Sequence, residues 1–321
     1  MLDRRFFIAA AAAAAASPAA AAQGGFPEFL AGIRAEARRQ GISDPTLDRA
    51  LANVHPNSKV LELDRYQAEF TLTWDKYRST RLSDTRVANG RQAYAQARGI
   101  LTAVQSRFGV SPDVIMGVWG LETNYGGFLG GFNVVEALAT LAWDGRRASY
   151  FRPELLAALK ILDHGDVTPN RMIGSYAGAM GQPQFMPTVY LKLAVDFDGT
   201  GKRDIWDSRG DSLASIANYL QHSGWRAGES WGEQVRVPAG FDPSLSGRDK
   251  KRALSEWARM GVRRFDGRAL PPGDLPSAIL LPGGSEGEAF VVYPNFTAIR
   301  RYNPSDFYAL AVGLLGDTVS A

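Results

Sequence analysis

The chain contains no cysteine and only three histidines, His55, His164 and His222, which stand far apart. Without thiols there is no disulfide, no thiolate metal site, no cysteine nucleophile and no lipid-modified N-terminal cysteine. The histidines have neither an HExxH arrangement nor any paired metal spacing. No glycine cluster has the spacing of a dinucleotide or phosphate loop. An excess of charge is missing too. The 36 Lys+Arg face 33 Asp+Glu, and leaving out Asp3, Arg4 and Arg5 of the N-terminal segment brings these to 34 and 32, a net of +2. That balance does not call for a nucleic-acid partner.

What remains is an ordinary globular composition, 45% hydrophobic and 11% aromatic over 321 residues, enough for two domains or one multi-lobed one. Residues 1–22 read as a cleavable export signal. Arg4-Arg5 precede Phe6-Phe7-Ile8 and an alanine run, in the manner of a twin-arginine signal, and Ala20-Ala21-Ala22 suit cleavage before Gln23. The competing reading, a membrane anchor, is disfavoured because the run is short and alanine only weakly hydrophobic. The expectation is a periplasmic protein that is not a lipoprotein and has no integral membrane segment in the mature chain.

The stretch Ser111 to Gly126, SPDVIMGVWGLETNYG, is unusual. Ser111, Pro112 and Asp113 are a helix start, and the eight residues that follow carry no polar side chain, which describes a buried helix. Ile115, Trp119 and Glu122 share one face, so the Glu122 carboxyl emerges beside an aromatic ring at the last turn. Apolar surroundings disfavour the charged form, raise the pKa and suit a general acid. The bland alternative is a solvated glutamate at a helix end.

Elsewhere helical spacing marks Phe26 to Gly41, a segment after Asp44-Pro45, and Arg91 to Gly109. Tyr66, Phe70, Trp74 and Tyr77 form an aromatic stripe that fits a core better than a sugar platform. The Arg146-Arg147 pair is read as solvated or anion-binding. Gly174 to Tyr190, GSYAGAMGQPQFMPTVY, reads as a tightly packed loop whose amides and hydroxyls suit sugar hydroxyls and acetamides. Asp196, Asp198, Thr200, Lys202 (through its carbonyl) and Asp204, with Gly201 at the turn, fit a calcium loop. The usual Glu at the twelfth position is replaced by Asp207, with Asp211 just beyond as another ligand. The alternative is a solvated Asp/Gly turn. Beyond Gly224, short runs at 234–237, 278–281, 289–292 and 297–300 predict a small antiparallel sheet with a helix at 250–260, and 304–319 predicts a closing helix.

Together GVWGLETNYG, the 174–190 string, VDFDGTGKRDIWD, IANYL and PNFTAIRRYN resemble the lytic murein transglycosylase B family, in order from about Trp74 to the C-terminus. The resemblance implies an α+β, mainly α fold: a lysozyme-like core with a helical N-terminal region and a small antiparallel sheet subdomain. The corresponding division is 23–110 helical, 111–228 core with its calcium-type loop at 196–207, 229–300 sheet, and 301–321 a helix returning to the core. It further implies cleavage of the MurNAc–GlcNAc β-1,4 bond of peptidoglycan strands, with Glu122 as the acid/base. Ser175, Gln184, Tyr219, Tyr302 and Asn303 match substrate-binding positions; Tyr77, Arg146 and Arg147 match more loosely. Gln182-Pro183 departs from many members. The family also points to a structural calcium ion, with no cofactor needed for the chemistry, and a monomer is expected. A two-carboxylate glycosidase mechanism lacks its second residue. A single acid suffices when the substrate's own C6 hydroxyl attacks, making a carbon–oxygen lyase. A lysozyme-type hydrolase and a non-catalytic murein-binding protein remain the alternatives.

Overall fold

The computed structural model describes residues 25–65 and 72–321. The export segment and the aromatics Tyr66 and Phe70 lie outside them. In chain order the elements are α1 (Phe26–Arg39), α2 (Asp44–Leu51), α3 (Ser58–Arg65), α4 (Trp74–Arg81), α5 (Asp84–Phe108), α6 (Pro112–Thr123), β1 (Phe132–Asn133), α7 (Val134–Asp144), α8 (Ala148–His164), β2 (Ile173–Gly174), α9 (Pro187–Leu193) and α10 (Arg209–His222). There follow β3 (Gly232–Arg236), β4 (Arg252–Ala253), α11 (Leu254–Arg259), β5 (Arg263–Arg264), β6 (Pro276–Leu280), β7 (Ala289–Val292), α12 (Pro294–Tyr302) and α13 (Asp306–Ser320). The class is α+β, mainly α, with small antiparallel sheets, as expected.

The described chain forms two compact units, each made from two stretches: 25–65 with 122–218, and 72–121 with 219–321. Each unit joins segments far apart in the chain, an interleaving that has no local signal in the sequence. In the first unit α7 and α8 pack along each other, with α2 and α9 against α8 and α3 against α7. α7 is apolar on nearly every side, with Leu138 and Leu141 buried, while α8 turns Leu155, Leu159 and Leu162 inward and leaves a polar face that includes Lys160 outside. Asn133 starts α7 by accepting from the Glu136 N–H, and Glu154 of α8 accepts from both the backbone and the hydroxyl of Thr188 at the start of α9. The sequence reading did not separate α8, whose Pro153 near its start masks an otherwise regular pattern.

In the second unit five strands form an antiparallel sheet in the order β4-β6-β7-β3-β5, with Gly232 opposite Val292 and Ile279 opposite Val291. Val235, Leu254, Trp257, Val262, Ile279 and Val291 make its core. Segment 297–300, expected as a strand, belongs to α12. Pro294 opens that helix, Phe296 and Ile299 turn inward, and Asn295 braces the neighbouring loop through Arg226 and Glu229. α5 starts at Asp84, two turns before the predicted Arg91, because the Ser83 side chain accepts from the Arg86 N–H where no apolar pattern yet exists.

α6 and α13 cross with their backbones in contact. A Cβ at Gly117 would lie 2.1 Å from the Val312 carbonyl oxygen, and one at Gly316 would lie 2.3 Å from that of Asp113. No larger residue fits either place, and this close crossing fixes the helix that carries Glu122 in its last turn.

Candidate active site

Glu122 is half-buried at the last turn of α6, and the backbone past it is shaped with unusual care. Asn124 and Tyr125 both have left-handed conformations (φ 51° and 62°), followed by Gly126 at 81°. The only other described non-glycine residue with positive φ is Gln184, at 54°. Each such position costs about 1–3 kcal/mol and persists only where its surroundings impose it, a pattern that clusters at working sites. All three residues lie on the two stretches that the sequence singled out.

Those stretches are tied together. The Thr123 hydroxyl, fully buried, donates to the Gln182 carbonyl at 3.0 Å and accepts the Gly126 N–H at 3.1 Å. β1 pairs with β2, setting Phe132 opposite Gly174, and a Cβ at Gly130 would lie 1.9 Å from the Gly174 carbonyl oxygen. Gln184 donates its amide to the Leu129 carbonyl (3.0 Å) and the Gly181 carbonyl (2.9 Å), leaving its side-chain oxygen as an acceptor. Ser175 accepts the Ala179 N–H at 3.0 Å while its own N–H donates to the Ala179 carbonyl. Its hydroxyl proton can still be donated to a ligand. Glu122 is the single acidic residue between Val114 and Val135, and between Gly174 and Val195 there is none.

Gln182 is the residue whose role the sequence did not disclose. It is 7% exposed. Its N–H donates to the Ile205 carbonyl at 2.8 Å, its amide nitrogen donates to the Trp206 carbonyl at 3.0 Å, and its side chain packs against Gly126, where a Cβ would lie 2.8 Å from Oε1. Through its backbone and its side chain together, Gln182 joins the turn after Glu122, the 174–190 loop and the end of the calcium-type turn.

That turn is internally braced. Asp196 accepts N–H bonds from Gly199, Thr200 and Gly201, and Asp198 accepts the Thr200 N–H and the Ser208 hydroxyl, which holds its carboxyl below the usual range. Asp211, fully buried, accepts from the N–H groups of Phe197, Asp198 and Asp204; burial raises its pKa against the pull of those donors. Carboxylate oxygens of Asp196, Asp198 and Asp211 lie within 4.8 Å of one another, an all-oxygen set suited to a hard divalent cation. Asp204 is turned instead to the N–H groups of Trp206 and Asp207, and Asp207 pairs with Arg171. Asp211, four residues past the usual closing position, is thus the carboxylate that lies with Asp196 and Asp198, where residue 207 was expected. Arg203 anchors the turn through Asp166 at 2.7 Å and lies over the Tyr190 ring.

Arg146 and Arg147 are neither simply solvated nor free. Both pair with the buried carboxylate of Asp64, and Arg147 also covers the Phe151 ring. Tyr77 is 1% exposed in the second unit, packed on Trp74 and Phe307. A ring with no open face offers no platform to a sugar, and the described residues of the stripe, Trp74 and Tyr77, are core. In that unit the Tyr219 hydroxyl donates to the Arg301 carbonyl at 2.5 Å, and its ring lies 4.6 Å from that of Tyr302. Burial raises the pKa of Tyr219, so the phenol stays neutral. Asn303 is buried and its side-chain oxygen accepts the Ser305 N–H.

A family described as the transglycosylase SLT domain matches residues 25–317, and the chain belongs to it. Among its relatives, membrane-bound lytic murein transglycosylase B of Escherichia coli is 36% identical over 294 residues, covering 88% of this chain and 80% of that protein. SltB3 of Pseudomonas aeruginosa, solved in complex with NAG-anhNAM-pentapeptide, is 49% identical with a TM-score of 0.90, over 93% of this chain and 80% of that one. Slt35 of Escherichia coli, solved in complex with calcium, is 32% identical with a TM-score of 0.77, over 94% of each chain. The chain is thereby placed among the lytic murein transglycosylases, with their lysozyme-like fold.

Proposed function

We propose that Glu122 is the sole acid/base of a peptidoglycan lytic transglycosylase acting on MurNAc–GlcNAc β-1,4 bonds. The carrying observation is a single half-buried carboxyl beside three left-handed residues, on a helix end clamped by Thr123 and Gln182. Protonated Glu122 gives its proton to the glycosidic oxygen as the C1–O4 bond breaks, and the MurNAc acetamide stabilises the cationic carbon. The Glu122 carboxylate then takes the proton of the C6 hydroxyl as that oxygen bonds to C1. The product is 1,6-anhydro-MurNAc, no water is consumed, and Glu122 ends protonated as it began. Ser175, with its free hydroxyl proton, orients the acetamide, and Gln184 accepts from sugar hydroxyls; Tyr219 is a further substrate contact. Tyr302 offers a ring for a sugar face and Asn303 a further polar contact. Arg146 and Arg147, steadied by Asp64, present their outer N–H groups to substrate carboxylates.

Asp196, Asp198 and Asp211 would hold a structural calcium ion, with Thr200, the Lys202 carbonyl and Asp204 around them; its role is to stiffen the turn on which Gln182 leans. The enzyme works as a monomer in the periplasm, reached through the twin-arginine-like segment 1–22. Among the described residues no helix is long and apolar enough to cross a membrane. Digesting purified murein with Glu122→Gln tests the reading: anhydro-muropeptide release at the normal rate would refute it.

A further inference from the structure

The second unit holds a cavity of about 340 Å³ between the β6–β7 edge and α12. Arg226, Arg248, Lys251 and Arg301 line it, together with the hydroxyl residues Ser277 and Thr297, and no described carboxylate does. Its cations are poorly compensated. Arg226 is 3.6 Å from Glu229, and Arg248 is 3.8 and 3.7 Å from Asp249 and Asp306. Close pairs elsewhere on the unit, such as Arg264–Glu233 at 2.7 Å, show the contrast. Lys251 has no acidic partner among the described residues, and Arg301 spends one N–H on the Ser223 carbonyl at 2.7 Å. Four positive groups around a concave surface focus a potential that favours anions.

The cavity also has a position relative to the proposed sugar contacts. Arg301 sends its guanidinium to the cavity while its carbonyl accepts the Tyr219 hydroxyl, and Tyr302 follows it in the chain. Arg301 thus links the cavity lining to the Tyr219–Tyr302 pair through one hydrogen bond and one peptide bond. Guanidinium and ammonium groups among hydroxyls suit carboxylates, and the volume suits a short peptide end rather than a polymer. We propose that this cavity is a subsite for the free carboxylates of the peptide stem carried by the glycan, and that it makes the enzyme prefer stem-bearing over peptide-free strands. This rests on the function proposed above.

The test uses the full chain, the free stem pentapeptide, and glycan strands either stem-bearing or stripped of peptide by an amidase. Titration followed by NMR should show the pentapeptide shifting the signals of Ser277 and Thr297. Lys251→Glu should weaken that binding about threefold to tenfold and Arg248→Gln about twofold to fivefold. The ratio of kcat/KM for stem-bearing over stripped strands should fall by the same factors. Lys160→Glu, an equal charge change on exposed α8 surface, should leave the ratio unchanged. Pentapeptide binding that is absent, or unchanged in both variants, overturns the proposal. So does an unaltered ratio, or competition by inorganic phosphate in place of pentapeptide. The binding arm requires no turnover, so a chain that binds pentapeptide in the cavity yet makes no anhydro ends refutes the enzymatic reading alone.

Discussion

Replacing Gln182 by alanine keeps its backbone bonds and removes the side chain that reaches from the 174–190 loop to the Trp206 carbonyl and to Gly126. The Trp206 carbonyl loses its donor at 3.0 Å in a buried setting, which costs about 1–3 kcal/mol. The space left by the side chain beyond Cβ adds roughly 1–2 kcal/mol. The total, about 2–4 kcal/mol, lowers the midpoint of thermal unfolding by roughly 5–12 °C, measurable by calorimetry. The effect on catalysis is separate. Gln182 supports Gly126 and the turn beyond Glu122, and a misplacement of about 1 Å at a reacting group can cost on the order of 100-fold. We therefore expect kcat on murein to fall ten- to a hundredfold, by about 1.4–2.7 kcal/mol in barrier, with KM little changed. Gln182→Glu keeps the volume but turns an acceptor toward the Trp206 carbonyl, and should impair kcat as much as alanine with a smaller packing loss. Full activity with an unfolding midpoint within about 1 °C of the parent would refute the clamp.

Gly117→Ala places a methyl 2.1 Å from the Val312 carbonyl oxygen and should destabilise by about 1–3 kcal/mol or prevent folding, read from urea denaturation. Asp211→Ala leaves the Phe197, Asp198 and Asp204 N–H groups without their acceptor. It should abolish any rise in unfolding temperature on adding calcium, which the parent should show in a chelator-controlled thermal scan. Asp317 carries a pKa pushed from 3.8 up to about 7 by burial of its carboxyl, with the Asp113 charge adding to it. The folded chain then holds a proton that the unfolded chain has released, so stability falls as pH rises from about 4 to about 7 and levels off above. Because part of the residue is exposed, solvent screens the effect and only a shallow slope is expected. Asp317→Asn should flatten it in denaturant titrations across that window.

Much of this was legible in the sequence where chemistry is local. The apolar run before Glu122, the helix start at Ser111-Pro112-Asp113, and the Asp/Gly turn each declare themselves within a dozen residues, and the unusual 174–190 string pointed to a packed loop. What stayed hidden depends on distant partners. Asp211 takes the closing position of the turn only because the chain after Asp207 folds back into α10, and the Arg146–Arg147 pair reads as solvated until α3 delivers Asp64. The strand expected at 297–300 failed because β-branched and apolar residues suit both states, and Pro294 with the Asn295 contacts decided for helix. Gln182 looked like a departure from the family pattern; its value lies in bonds to residues 23 and 24 positions later.

Mass spectrometry of the soluble products of murein digestion tests the central claim most directly. The parent chain should release muropeptides ending in 1,6-anhydro-MurNAc, one water lighter than reducing-end products, and Glu122→Gln should release on the order of 1% as much or less. Reducing-end products from the parent, or anhydro products at the parental rate from Glu122→Gln, would contradict a lone acid that also serves as base.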